Sequence, residues 1–99
     1  MADLPSPAQL RRQAVVANDL GLHVRPAAKI AALAKAALGR VWIEVHGERV
    51  DAKDPLEIVS LMAPQGTEMT IGIETRQDAD ILVRIVRLIE DGFRNRVND

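Results

Sequence analysis

The chain has 99 residues, 47% of them hydrophobic and 27% charged, with 13 basic against 14 acidic residues and a formal net charge of -1. That length supports one domain with one modest core, and the balanced, dispersed charge excludes the basic footprint of a nucleic-acid binder or a membrane-surface protein. With no cysteine, disulfides, thiolate nucleophiles and Cys-ligated zinc are all excluded, and a reducing compartment, the cytoplasm, is the expected location.

Residues 1–12 carry Asp3, Pro5, Pro7, Arg11 and Arg12 with no apolar run of the signal-peptide kind, so they read as an N-terminal extension before a domain over residues 13–99. Charges interrupt every apolar stretch well before the roughly 18–20 residues that a membrane span needs. Residues 13–17 read as a short strand, followed by a loop over Asn18, Asp19, Leu20 and Gly21, whose Asn, Asp and Gly are turn formers. From Val24 to Leu38 the chain is rich in alanine, with Ile30 and Leu33 among strong helix formers, and Gly39 stands where such a helix would stop. Pro26 is compatible only with the first turn, because its missing N–H would have had no helical acceptor there, so this helix begins close to His23.

Residues 40–45 and 48–52 are two extended runs joined at His46 and Gly47, which predicts an antiparallel hairpin. Asp54, Pro55 and Glu57 form a helix-start signal: Asp as N-cap, Pro at the first position, and Glu placed to complete a capping box, with the short helix reaching about Met62. Pro64, Gln65 and Gly66 break it, and Met69, Ile71 and Ile73 then alternate with Glu68, Thr70 and Gly72 as in a strand with one buried face. Asp78 opens a last helix in which Leu82, Ile85, Val86, Ile89 and Phe93 fall on one side, with Arg84, Arg87, Glu90 and Asp91 on the other. The order βαββαβα predicts an α+β fold, a two-layer open-faced sandwich with its helices on one face of the sheet.

Chemistry concentrates in Gly21, Leu22, His23, Val24, Arg25, Pro26 and Ala27, where a nucleophilic side chain, a fixed cation and a helix start converge. A helix start presents free N–H groups and the positive end of the macrodipole to a phosphate. The same field disfavours the imidazolium, so His23 is expected neutral and nucleophilic near pH 7. Arg25 can add charge-assisted hydrogen bonds to the transferring oxygens, while Val24 and Pro26 supply the helix start that aims both groups.

The run Gly-Leu-His-x-Arg-Pro-Ala closely resembles the active-site signature of the histidine-containing phosphocarrier (HPr) family of the sugar phosphotransferase system. The resemblance extends over residues 13–93 and includes the segment from Val50 to Ile71 with its Gln65-Gly66 turn. It implies a four-stranded antiparallel sheet in the order 1-4-2-3 under three helices. It also implies that His23 is phosphorylated at Nδ1 by phosphorylated enzyme I and passes the group to the A domain of a sugar permease, with no cofactor and no metal. By the same resemblance Ala28, Pro55, Leu56 and Val59 are the partner-binding residues, on a chain expected to be a monomer.

Two positions depart from the family pattern. Asp54 stands where many members carry a serine phosphorylated as a regulatory switch, so that switch cannot operate here, and the permanent charge is expected to tune partner choice. Leu20 replaces a small polar residue that steadies the imidazole in some members, which leaves ring orientation to backbone groups, with Asn18 and Asp19 as the neighbouring polar side chains. Three other readings exist. One is a regulatory carrier in a nitrogen-related phosphotransferase chain, and another is an interaction module that does not transfer phosphate. The third is a metal hydrolase using His23 with His46, Asp19 or Glu44, for which two histidines outside any HxH or HExxH spacing make a poor ligand set.

Overall fold

The computed structural model describes residues 10–94; the expected N-terminal extension lies outside these residues up to position 9. Four strands, β1 (Arg11–Val15), β2 (Val41–Val45), β3 (Glu48–Asp51) and β4 (Glu68–Ile73), form one sheet in the order β1-β4-β2-β3. Every neighbouring pair is antiparallel, as the resemblance implied. The helices α1 (Val24–Ala34), α2 (Pro55–Ser60) and α3 (Ala79–Glu90) complete the βαββαβα order.

The register explains why one face of the sheet is dry. Ala14 faces Met69 across β1 and β4, Ile43 faces Ile71 across β2 and β4, and Ile43 faces Val50 across β2 and β3. These side chains meet Ala27, Ile30, Ala31 and Ala34 of α1, Ile58 of α2, and Leu82, Ile85, Val86 and Ile89 of α3, all buried. Each fully buried Ile or Leu contributes about 1.5–3 kcal/mol. Helix α1 packs against α2 and α3, and the large side chains of α3 lie against β1 and β4.

Several boundaries move from those the sequence predicts. The first strand starts at Arg11 and ends at Val15, two residues earlier than expected. Helix α1 ends at Ala34, short of Leu38, because Ala36 and Ala37 N–H tighten onto the carbonyls of Leu33 and Ala34. The next free amides, Leu38 and Gly39 N–H, then donate to the two oxygens of the Asp78 carboxylate at 2.9 Å each. Asp78 opens α3 as expected, at its N-cap position, but its side chain makes no capping bond; it is 2% exposed and clasps the α1–β2 connection instead. Phe93 is buried as expected, yet it lies past the end of α3, after Gly92, in a left-handed conformation.

On the open face of the sheet, Trp42 lies across Gly72, where any added Cβ would overlap the indole, and Arg49 stacks over the ring at 4.7 Å. Gly72 therefore takes its outward position in β4 for a packing reason: it makes room for the only tryptophan in the chain. Among the described residues no helix is long and apolar enough to cross a membrane.

Candidate functional site

The site is built where the end of β1, the start of α1 and the end of α2 come together. Gly21 has a φ of 72°, and a Cβ there would strike the Ala63 carbonyl oxygen and lie 2.9 Å from Pro64 Cα. Only glycine serves, for both reasons. Leu22 N–H donates to that same Ala63 carbonyl at 2.9 Å, fastening the loop before His23 to the segment after α2. Asn18 closes the loop from the other side: its Nδ2 donates to the Gly21 carbonyl at 2.7 Å, and its own carbonyl accepts from Gly21 N–H at 3.2 Å. Its Oδ1 is shielded from solvent and has no hydrogen-bond partner among the described residues. Gln65 Nε2 donates to the Ala17 carbonyl at 3.0 Å and to Asp19 Oδ1 at 3.3 Å, so Asp19 faces the loop's own support.

His23 is the N-cap residue of α1, with extended backbone angles of -87° and -168°. Its carbonyl accepts the first helical bond, from Ala27 N–H at 3.0 Å, and its N–H donates to Gly21 at 3.0 Å. The side chain makes no capping bond. Histidine is not a residue that helix starts favour, since Ser, Thr, Asp and Asn satisfy the free amides far better. A position that forgoes this stabilisation leaves its imidazole available for other work.

Two amides at the helix start, Val24 and Arg25 N–H, have no acceptor among the described residues, while Pro26 has no N–H and is buried, contributing geometry only. Arg25 is exposed on the first turn and enters no ion pair among the described residues, where both pairs, Arg49 with Glu44 and Arg84 with Asp80, are exposed and distant in sequence. The half-buried imidazole borders three shallow recesses of different character. Arg25 and Lys29 share one with it; Asp19, Glu90 and Asp91 share the second; Leu20, Val59 and Met62 share the third.

The expected partner residues divide by exposure. Leu56 is 75% exposed on α2 and Ala28 is exposed on α1, whereas Pro55 and Val59 are half-buried and Val59 also packs against the core. Asp54 caps α2 as expected, its Oδ1 accepting from Leu56 N–H at 2.9 Å. The capping box does not close: Glu57 Oε1 accepts from Asp51 N–H at 3.0 Å, because Asp54 N–H is already turned to the Asp51 carbonyl. His46 sits in the β2–β3 turn with a φ of 50°, and among the described residues no group of three His, Cys, Asp or Glu side chains is placed to hold a metal. Leu20, Val24 and Met62 were not in the expected partner set, yet all three are exposed beside His23 or its helix start. The available signal for Met62 was a large apolar residue just past a helix end, where glycine is usual.

With that geometry in place, the chain proves to match, over residues 10–91, the family model described as "PTS HPr component phosphorylation site". It belongs to this family of phosphocarriers, which are carriers and not enzymes. It is similar to the phosphocarrier protein HPr of Chlamydia pneumoniae, with 33% identity covering 86% of this chain and 79% of that one. Among solved structures it resembles HPr of Thermoanaerobacter tengcongensis at a TM-score of 0.78 and 30% identity, over 84% of this chain and 93% of the other. A third likeness, 34% identity over 89% of this chain, is to 18% of a Providencia stuartii protein called PEP-dependent dihydroxyacetone kinase, phosphoryl donor subunit DhaM.

Proposed function

We propose that His23 accepts a phosphoryl group from the phosphohistidine of enzyme I and passes it to the A domain of a sugar permease. The observation that carries this reading is an N-cap imidazole without a capping bond, beside two helix amides and an Arg25 side chain that have no partner among the described residues. The Nδ1 lone pair of His23 attacks phosphorus in line. The P–N bond of the donor breaks, and its electron pair returns to the donor imidazole, so no proton need be gained or lost overall. In this reading Val24 N–H, Arg25 N–H and the Arg25 guanidinium donate to the phosphoryl oxygens, and positioning with charge stabilisation is most of what such a transfer requires. The cytoplasm and a monomeric state belong to this reading, as does partner choice tuned by the charge of Asp54.

A second acceptor is favoured by one observation, the 34% identity to part of the DhaM protein: the chain would then serve a dihydroxyacetone kinase in place of a permease. Incubation with enzyme I and labelled phosphoenolpyruvate tests donor and site together. Acid-labile label on the wild type and none on His23→Ala is expected. A folded protein that takes no label from an active enzyme I would leave an interaction module without phosphoryl transfer. A chase of the labelled chain with a permease A domain or a dihydroxyacetone kinase assigns the acceptor.

A further inference from the structure

Helix α1 carries two cations four residues apart, Arg25 and Lys29, and like charges at that spacing face each other and destabilise a helix. Nothing nearby on the helix offsets the repulsion. The first turn of α1 has no acidic residue, and among the described residues neither cation enters an ion pair.

Lys29 is half-buried, and its ammonium has one hydrogen-bond partner among the described residues. That partner is the neutral carbonyl of Phe93, 64 residues away in the turn after α3, at 3.3 Å, which is long for such a bond. A lysine often bonds a carbonyl at a helix end, and this accounts for one of its three donors. The other two, and the positive charge, are left without a partner among the described residues. The tie to Phe93 also decides where the charge stands: His23, Arg25, Lys29 and Phe93 border a single recess that no carboxylate lines. The other side of the imidazole has the opposite character, since the recess there brings Asp19, Glu90 and Asp91 to His23 against one cation, Arg94. A dianion attached to the ring is repelled on that side and drawn to the side of Arg25 and Lys29.

We propose that Lys29 is a second cation of the phosphoryl site, donating together with Arg25 to the oxygens of a phosphoryl group on His23. This rests on the transfer proposed above and adds a residue to it. The bond to Phe93 holds the ammonium beside the recess before the group arrives, so less side-chain freedom is lost when it turns to a phosphoryl oxygen. A compact ammonium on a flexible stem can make that turn, where a planar guanidinium is bound to one orientation. Lys29 stays protonated throughout; the donor's P–N bond breaks and the bond to His23 forms as before. Its charge favours the fully ionised phosphoryl group and shifts the exchange with the donor toward the carrier.

The test compares wild type, Lys29→Gln and Lys29→Arg, each phosphorylated through enzyme I charged from phosphoenolpyruvate. Two quantities are read: the distribution of label between enzyme I and the carrier at equilibrium, and the pH midpoint at which the phosphorus NMR shift of the carrier titrates. Lys29→Gln keeps a donor for Phe93 and loses the charge, so it should lower the exchange constant about three- to tenfold and raise the midpoint by about 0.5–1. Lys29→Arg should restore both toward wild type. His23, Arg25, Asp19, Glu90, Asp91 and Arg94 are the same in all three proteins, so the differences report position 29. A lower Tm for Lys29→Gln with an unchanged midpoint would make Lys29 a brace for the turn at Phe93 and overturn the proposal. Label on the wild type with both quantities unchanged in Lys29→Gln would overturn the second cation alone. No label on the wild type would overturn the transfer and the second cation with it.

Discussion

The residues of the site differ in what their replacement should do, and the differences follow from how each is held. Gly21 has a positive φ and leaves no room for a Cβ against Ala63, so Gly21→Ala should cost about 1–3 kcal/mol in a urea titration. Arg25 is exposed and unpaired among the described residues, so Arg25→Ala should leave the unfolding midpoint unchanged while phosphoryl acceptance slows about 10- to 100-fold. A matching loss of stability would mean that Arg25 supports the fold instead. His23, Arg25 and the helix start were legible in the sequence because proline, glycine and a short motif are local signals. The left-handed backbone of Met62 and the tie from Asn18 to the Gly21 carbonyl were not, since both depend on neighbours that only the folded chain brings near.

Among the elements, the helix and strand types were readable from periodicity, whereas their ends were decided by partners distant in sequence. Nothing between Val24 and Leu38 marks the stop after Ala34; the carboxylate of Asp78, 40 residues from Leu38, sets the path of the chain beyond it. Asp78→Ala should therefore be among the more destabilising polar changes, about 2–4 kcal/mol, because it leaves two part-buried amides without their charged acceptor. Asp54→Ala removes a single exposed cap and should cost only about 0.5–2 kcal/mol. The order of these two losses in thermal melts checks the assignment of Asp78 as a clasp between α3 and the α1–β2 connection.

For the whole molecule, the open-faced sandwich follows from alternation in β4 and the single apolar stripe of α3, while the 1-4-2-3 order came from the family resemblance and not from the pattern of elements. Gly72 illustrates what alternation alone leaves out: it occupies an outward position because Trp42 lies over it. Gly72→Ala should displace the indole, cost about 1–3 kcal/mol and shift the fluorescence of the sole tryptophan, while leaving His23 at the opposite end of β4 reactive. The sandwich brings the start of α1 to the surface between α2 and the end of α3, so that a partner reaches the imidazole without opening the core. Phosphorus NMR of the chain, phosphorylated through enzyme I and labelled with nitrogen-15 in its histidines, tests that carrier role most directly. One phosphorus–nitrogen coupling, to Nδ1 of His23 and absent in His23→Ala, is the predicted result; phosphate on His46 or on an oxygen would contradict it.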